Sequence, residues 1–233
     1  MLDAALGKGN SDMEFIFMLT RDDQTVEDCF DVIDILRDTR IKHIGFKDIG
    51  VDRETLAALN DRIKRLGAVS YMEVVSTTSE ACLSSARTAV EIGVDRLLGG
   101  TEITATLEIL QASDIAYYPF PGRPEGHPTR LHGGPADIAA DCRQAEALGC
   151  AGVDLLAYRA ADADPLDLVR AARDAHSGEL IVAGSIDTPE QIHALAAAGV
   201  DAFTIGTAAF DGSFSPRKGS LRSQLRDILA ACA

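Results

Sequence analysis

The chain is short of basic residues, with 22 Lys and Arg against 36 Asp and Glu, a formal net charge of −14 over 233 residues. That deficit excludes an extended nucleic-acid or anionic-membrane surface, which needs a basic face, but not a small phosphorylated ligand held by local groups. Cysteine is scattered. The five (Cys29, Cys82, Cys142, Cys150 and Cys232) are odd in number and form no CxxC pair or Cys/His cluster. A zinc site and a disulfide framework are therefore not expected, and the thiols read as reduced and mostly buried. Long apolar runs are also missing: none approaches the roughly 20 residues that span a bilayer. Met1 to Asn10 lacks the basic start and apolar stretch of a signal peptide. No heptad, basic amphipathic stretch or low-complexity segment stands out. The expectation is a soluble, cytoplasmic protein with no nucleic-acid partner, no membrane partner, no metal and no cofactor.

The rest of the composition is ordinary for a globular chain, 46% hydrophobic and 25% charged, too apolar for disorder. Short apolar runs alternate with helical patterns eight times. The expected strands are Glu14–Leu19, His43–Lys47, Ser70–Val75, Arg96–Gly99, Ile115–Pro119, Gly152–Ala157, Leu180–Ala183 and Ala202–Ile205. Between them, apolar residues recur three or four apart, as in Val26, Phe30, Ile33 and Leu36. Thr25-x-x-Asp28 and Thr188-Pro189-Glu190-Gln191 read as helix starts, and Gly67, Gly93 and Gly199 as helix stops. Eight units of about 29 residues predict a single α/β domain over residues 1–233, a (β/α)8 TIM barrel. An open doubly wound sheet is the runner-up, but the first strand lacks a GxGxxG turn.

An internal repeat fits that architecture. Residues 89–101 (AVEIGVDRLLGGT) match residues 195–207 (LAAAGVDAFTIGT) at Gly-Val-Asp and at Gly-Thr. The two copies fall half a barrel apart, as duplication of a half-barrel would leave them; simple helix-stop chemistry is the alternative. Asp95 and Asp201 would sit at the bottom of their strands, where stability is the expected role.

Chemistry in such a barrel belongs to the C-terminal strand ends. Ala183-Gly184-Ser185 follows the seventh expected strand and Gly206-Thr207-Ala208 follows the eighth. Glycines there let backbone N–H groups converge on a phosphate, and these loops are the usual phosphate site of barrels. The alternative is that they are only tight strand exits.

The run Val182–Phe210 (VAGSIDTPEQIHALAAAGVDAFTIGTAAF) resembles the C-terminal signature of the ribulose-phosphate-binding barrels. This group includes sugar-phosphate isomerases and epimerases, the histidine- and tryptophan-biosynthetic barrels and N-acylmannosamine-6-phosphate epimerases. The resemblance implies phosphate contacts from the backbone of Gly184, Ser185, Gly206 and Thr207. The repeat is similar to that of the histidine-pathway barrels, whose substrate carries two phosphates, which implies a second anion near Gly99, Gly100 and Thr101. Those isomerases use aspartates at the end of strand 1 and after strand 5, where this chain has Leu19-Thr20 and Pro119-Phe120. It also lacks the Asp-x-Lys-x-x-Asp of the sugar-acid phosphate decarboxylases and the His/Asp metal set of ribulose-phosphate epimerases.

The remaining strand-end candidates are Lys47, Asp48, Glu73 and Asp154. Lys47 closes an apolar strand, where a buried charge is costly without a task. Burial can depress a lysine pKa and fit it as base, electrophile or Schiff-base nucleophile. The alternative is an ion pair with Glu73 or Asp48 that plugs the barrel mouth. A Lys47–Glu73 pair suits proton transfer at an enolisable carbon, and equally a retro-aldol cleavage through an imine. Asp154 reads as catalytic or as a polar core residue. The segment Pro119–Pro135 holds five of the eight prolines and is long for a loop. It carries Arg123, His127 and Arg130, which fit a lid over an anionic ligand; a contact between copies in a homo-oligomer is its other use. The leading expectation is a phosphosugar or sugar-acid phosphate isomerase or epimerase. An imine-forming lyase and a non-catalytic barrel that binds a phosphorylated metabolite are the alternatives.

Overall fold

Four- to six-residue apolar runs with β-branched residues, separated by capped amphipathic helices, leave parallel strand pairing as the way to bury both kinds of element. The computed structural model describes residues 13–76, 78–126 and 128–232. Along it run β1 (Glu14–Met18), α1 (Cys29–Leu36), β2 (His43–Lys47), α2 (Arg53–Arg65), β3 (Val69–Val74), α3 (Ser79–Ile92), β4 (Arg96–Gly99) and α4 (Ile103–Leu110). Then come β5 (Ala116–Tyr118), α5 (Pro135–Ala147), β6 (Gly152–Leu155), α6 (Pro165–Ala175), β7 (Glu179–Val182), α7 (Pro189–Ala197), β8 (Ala202–Ile205), α8 (Thr207–Phe210) and α9 (Leu221–Ala231). The eight strands pair in parallel in one sheet, in the order β6-β7-β8-β1-β2-β3-β4-β5. Two backbone bonds join its ends, Ala151 N–H to Tyr117 C=O at 3.1 Å and Asp154 N–H to Pro119 C=O at 3.0 Å. The chain is a (β/α)8 barrel, as its periodicity predicts.

The expected strand limits hold to within two residues. At β6 the backbone leaves the sheet after Leu155 and turns through a short 3-10 segment, Ala157–Arg159. The helix stops Gly67, Gly93 and Gly199 all have positive φ (+71°, +70° and +78°). Thr188 caps α7 through the Gln191 N–H, in a capping box. Thr25 is a correction: it caps no helix, and α1 begins without a side-chain cap at Asp28. Pro119–Pro135 is not wholly irregular, because Arg123–Glu125 and Arg130–His132 pair as an antiparallel hairpin.

Alternation along the strands divides the buried residues into two cores. Ile16, Met18, Tyr71, Leu98, Tyr118, Ile181 and Ala202 fill the barrel interior, while a larger cluster lies between sheet and helices. The bottom of the barrel is closed by polar groups. Arg96 donates to both oxygens of Glu179 at 2.6 Å, Tyr118 OH donates to Glu179 at 2.8 Å, and His43 Nδ1 lies 2.8 Å from Tyr71 OH. The two repeat copies are equivalent here. Asp95 accepts from Ser70 N–H in the preceding strand and Asp201 from Leu180 N–H, each at 2.8 Å. Their carbonyls accept from the first residue of the following strand, Ala116 and Glu14. Both aspartates thus tie three strands together at the stability face.

Candidate active site

At the other end, β1 runs straight into a tight hairpin in which Thr20–Arg21 pairs with Gln24–Thr25. Its two central residues, Asp22 and Asp23, have φ of +52° and +58°. Two-residue hairpin loops favour such values, and aspartate tolerates them better than most residues. The turn returns the Asp23 carboxylate over the barrel mouth, where the residue is 7% exposed.

Lys47, the last residue of β2, and Glu73, the last but one of β3, stand in direct register and are buried at 6% and 5% exposure. The Lys47 ammonium donates to Glu73 Oε1 and to Asp23 Oδ1, both at 3.0 Å. Thr25 Oγ1 accepts from Lys47 N–H and donates to Lys47 C=O, each at 2.8 Å, which ties the hairpin to β2. Arg159, carried inward by the 3-10 turn after β6, closes a fork on Asp23: Nη1 to Oδ2 and Nη2 to Oδ1, both 2.7 Å. Four side chains therefore form one chain of alternating charge, Glu73–Lys47–Asp23–Arg159.

Burial alone would pull the Lys47 ammonium down, but Glu73 and Asp23 outweigh it and hold its pKa above the ordinary lysine value. The expected depression of Lys47 is thus reversed. Burial likewise opposes ionisation of Asp23, yet its hydrogen bonds to Arg159 and the charges of Lys47 and Arg159 hold it well below the usual carboxylate range. Asp48 is not part of this chain. As the residue after Lys47 it points to the opposite face, accepting from Val75 N–H and Ser85 Oγ. Asp154 faces inward on β6, fully buried, with no hydrogen-bond partner on either oxygen among the described residues. Burial, reinforced by Glu73, pushes its carboxyl well above the usual range against the pull of Lys47 and Arg159.

A cavity of about 370 Å³ opens over this network. Its walls include Lys47, Glu73, Asp23 and Arg159 together with Gly184, Ser185, Gly206 and Thr207, so strand-end candidates and glycine loops share one space. Both glycines are required by protein neighbours. At Gly184 (φ +81°) a Cβ would fall 2.6 Å from Arg159 Nε, and at Gly206 it would fall 2.5 Å from Thr20 Oγ1. Asp154 lies beneath this cavity and is not in its wall. Thr101 lines a separate depression of about 350 Å³ shared with Glu102 and Glu108, and Gly100 follows β4 outside both. Arg123 and Arg130 are exposed on their hairpin and do not line the cavity, although the neighbouring Pro128 does. His127 lies outside the described residues. Among the described residues no group of three or more His, Cys, Asp or Glu is placed to hold a metal ion, and no helix is long and apolar enough to cross a membrane.

Asp23, Thr25 and Arg159 are not among the site residues expected from the sequence. The available signal was the Asp22-Asp23 doublet between two short polar arms, which marks a tight turn at the top of β1.

The family model described as histidine biosynthesis protein matches residues 124–215, a span that contains the Val182–Phe210 signature. Comparison with curated protein sequences gives no match. Among solved structures the chain is similar to orotidine 5'-phosphate decarboxylase from Pyrococcus horikoshii OT3, with TM-score 0.68, 12% identity, and 94% of this chain and 98% of that one covered. It is also similar to a mutant tryptophan synthase alpha-subunit from Pyrococcus furiosus (0.66, 12%, 93% and 98%). A third is (S)-3-O-geranylgeranylglyceryl phosphate synthase from Thermoplasma acidophilum, solved with its substrate sn-glycerol-1-phosphate (0.62, 15%, 96% and 94%). In architecture the chain is a (β/α)8 barrel like these solved structures, and over residues 124–215 its sequence is similar to the histidine biosynthesis protein family.

Proposed function

We propose that this barrel is an isomerase or epimerase of a phosphorylated sugar or sugar acid, working by proton transfer at a carbon next to a carbonyl. The observation that carries the reading is the Lys47 ammonium, 3.0 Å from Glu73 Oε1 and 3.0 Å from Asp23 Oδ1, in the cavity that also exposes the Gly184–Ser185 and Gly206–Thr207 segments. With the phosphate at those segments, the reacting carbon extends toward Lys47 and Glu73. The Glu73 carboxylate removes the α-proton. Lys47, kept charged by Asp23, donates to the developing enolate oxygen, a task for a fixed cation in a site partly shielded from water. The protonated Glu73 carboxyl then returns its proton to the adjacent carbon to give the isomer, or Lys47 delivers a proton to the opposite face of the same carbon to give the epimer.

The lyase alternative needs a neutral Lys47 amine to form an imine, and an ammonium held between two carboxylates is poorly prepared for that. The test is solvent-deuterium incorporation into phosphosugars that raise the thermal midpoint of the protein. Wild type should place deuterium at the carbon next to the carbonyl, and Glu73→Gln should slow this by about 10²–10⁴-fold. Borohydride trapping of a ketose phosphate on Lys47 would establish the lyase. Turnover unaffected by both Lys47→Ala and Glu73→Ala would overturn the catalytic assignment of this pair, and phosphosugar binding with no turnover by wild type would favour a binding barrel.

A further inference from the structure

Arg159 stands where three loops meet. Its stem lies against Gly184, with the position of a Cβ there 2.8 Å from both Cγ and Cδ. Its guanidinium is closed on Asp23, and Nη1 also reaches the Thr129 carbonyl at 3.5 Å. The side chain is 20% exposed and lines the cavity, so a dissolved oxyanion can approach it. A planar guanidinium fork fits carboxylate and phosphate oxygens equally well. The carboxylate it now holds is unusual, because Asp23 Oδ1 accepts from both Arg159 Nη2 at 2.7 Å and Lys47 Nζ at 3.0 Å. That carboxylate sits on a turn whose two central residues both have positive φ without being glycine, and Ser185, across the cavity wall, shares this conformation at φ +59°. Backbone of this kind persists where its surroundings over-determine it. Here the surroundings are the hairpin pairing of Thr20–Arg21 with Gln24–Thr25 and the two cations that hold Asp23.

The geometry points to a charge exchange on binding: the phosphate group of the substrate takes the Arg159 fork from Asp23, which keeps Lys47 as its partner. Asp23 is then an internal competitor for the oxyanion position. Only a ligand with two or more well-placed anionic oxygens displaces it, which selects phosphorylated substrates over neutral sugars. The exchange also bears on the chemistry. Released from Arg159, Asp23 holds Lys47 more closely, and Glu73 loses part of its claim on the ammonium and becomes a freer base. This inference rests on the reading that the cavity binds a phosphate, and it adds the residue that recognises it and the group it displaces.

The experiment is calorimetric titration of inorganic phosphate into wild type, Arg159→Gln, Asp23→Asn and the double variant. Arg159→Gln should weaken phosphate by about tenfold or more, the loss of one charge-assisted contact. Asp23→Asn should tighten it several-fold because the competitor is gone, and the double variant should lose that gain. A variant-free measurement guards against misfolding: in wild type, phosphate should speed amide exchange across residues 20–25 as the hairpin tip is released. Equal affinity in wild type and Arg159→Gln, weaker binding by Asp23→Asn, or unchanged or slower exchange in a phosphate-bound hairpin would overturn the exchange while leaving the phosphate reading intact. No phosphate binding by wild type or any variant would defeat that reading, and the exchange with it.

Discussion

Asp154 keeps a carboxyl in the barrel interior with neither oxygen hydrogen-bonded among the described residues. Such a group costs about 1–3 kcal/mol relative to a satisfied one. Its retention beneath Lys47 and Glu73 sets a pH dependence whose sign can be worked out. In the unfolded chain an aspartate ionises near 3.9. In the fold the Asp154 carboxyl is pushed well above that by burial and by Glu73, so above about pH 4 the folded state binds more protons than the unfolded one and stability falls as pH rises. Asparagine does not titrate. The stability of Asp154→Asn relative to wild type should therefore grow from pH 4 to pH 8 in denaturant titrations, and a constant difference would show that Asp154 is ionised in the fold. Alternation along β6 makes the inward direction of Asp154 legible in the sequence. Its lack of partners depends on what seven other strands send into the same space, and that is not legible.

Two threonines chosen as helix caps divide at the scale of elements. Thr188 precedes Pro189 and is followed three residues later by Gln191, a complete local signature, and it caps α7. Thr188→Ala should cost about 1 kcal/mol in thermal or denaturant unfolding without altering ligand affinity; a loss within error would remove the cap from the account. Thr25 carries half of the same signature, but its hydroxyl clamps the Lys47 backbone instead. The difference is physical. A cap of the Thr188 kind is closed within four residues, so local sequence suffices. Thr25 belongs to the second arm of a hairpin that is tied to β2 by residues more than twenty positions away. The turn after β6 has the same character: an apolar run read as extending to Ala157 ends at Leu155 so that the chain can turn Arg159 toward Asp23.

Across the whole molecule the two ends of the barrel hold polar clusters of different kinds. The lower one is anchored by the Arg96–Glu179 pair and includes His43, which touches Tyr71 OH and lies 3.3 Å from Glu14. Burial, with help from Arg96, lowers the His43 pKa despite Glu14 and Glu179. A depressed histidine stabilises the fold above the unfolded value near 6.5, and that contribution is lost as pH falls toward the folded value. Relative to His43→Gln, wild type should lose stability as pH falls from 7 to 5; a difference that stays constant would assign the acid sensitivity elsewhere. The upper cluster explains how a chain of net charge −14 can present cations to an anion. Lys47 and Arg159 converge on one carboxylate from strands on different sides of the barrel.

Sequence alone determined the eight strand–helix units, the helix ends, the inward parity of Lys47, Glu73 and Asp154, and the glycine loops after β7 and β8. Periodicity, capping and glycine placement act within a few residues, so local order is enough to specify them. Only the tertiary structure decided which carboxylates meet Lys47. Asp48, its neighbour in the chain, is turned away by strand alternation, while Asp23 is returned to it by a two-residue turn. Closure of the barrel then brings Arg159 to the same carboxylate across 136 positions of sequence. Contacts of that separation follow from the meeting of whole elements in space, and no local pattern encodes them.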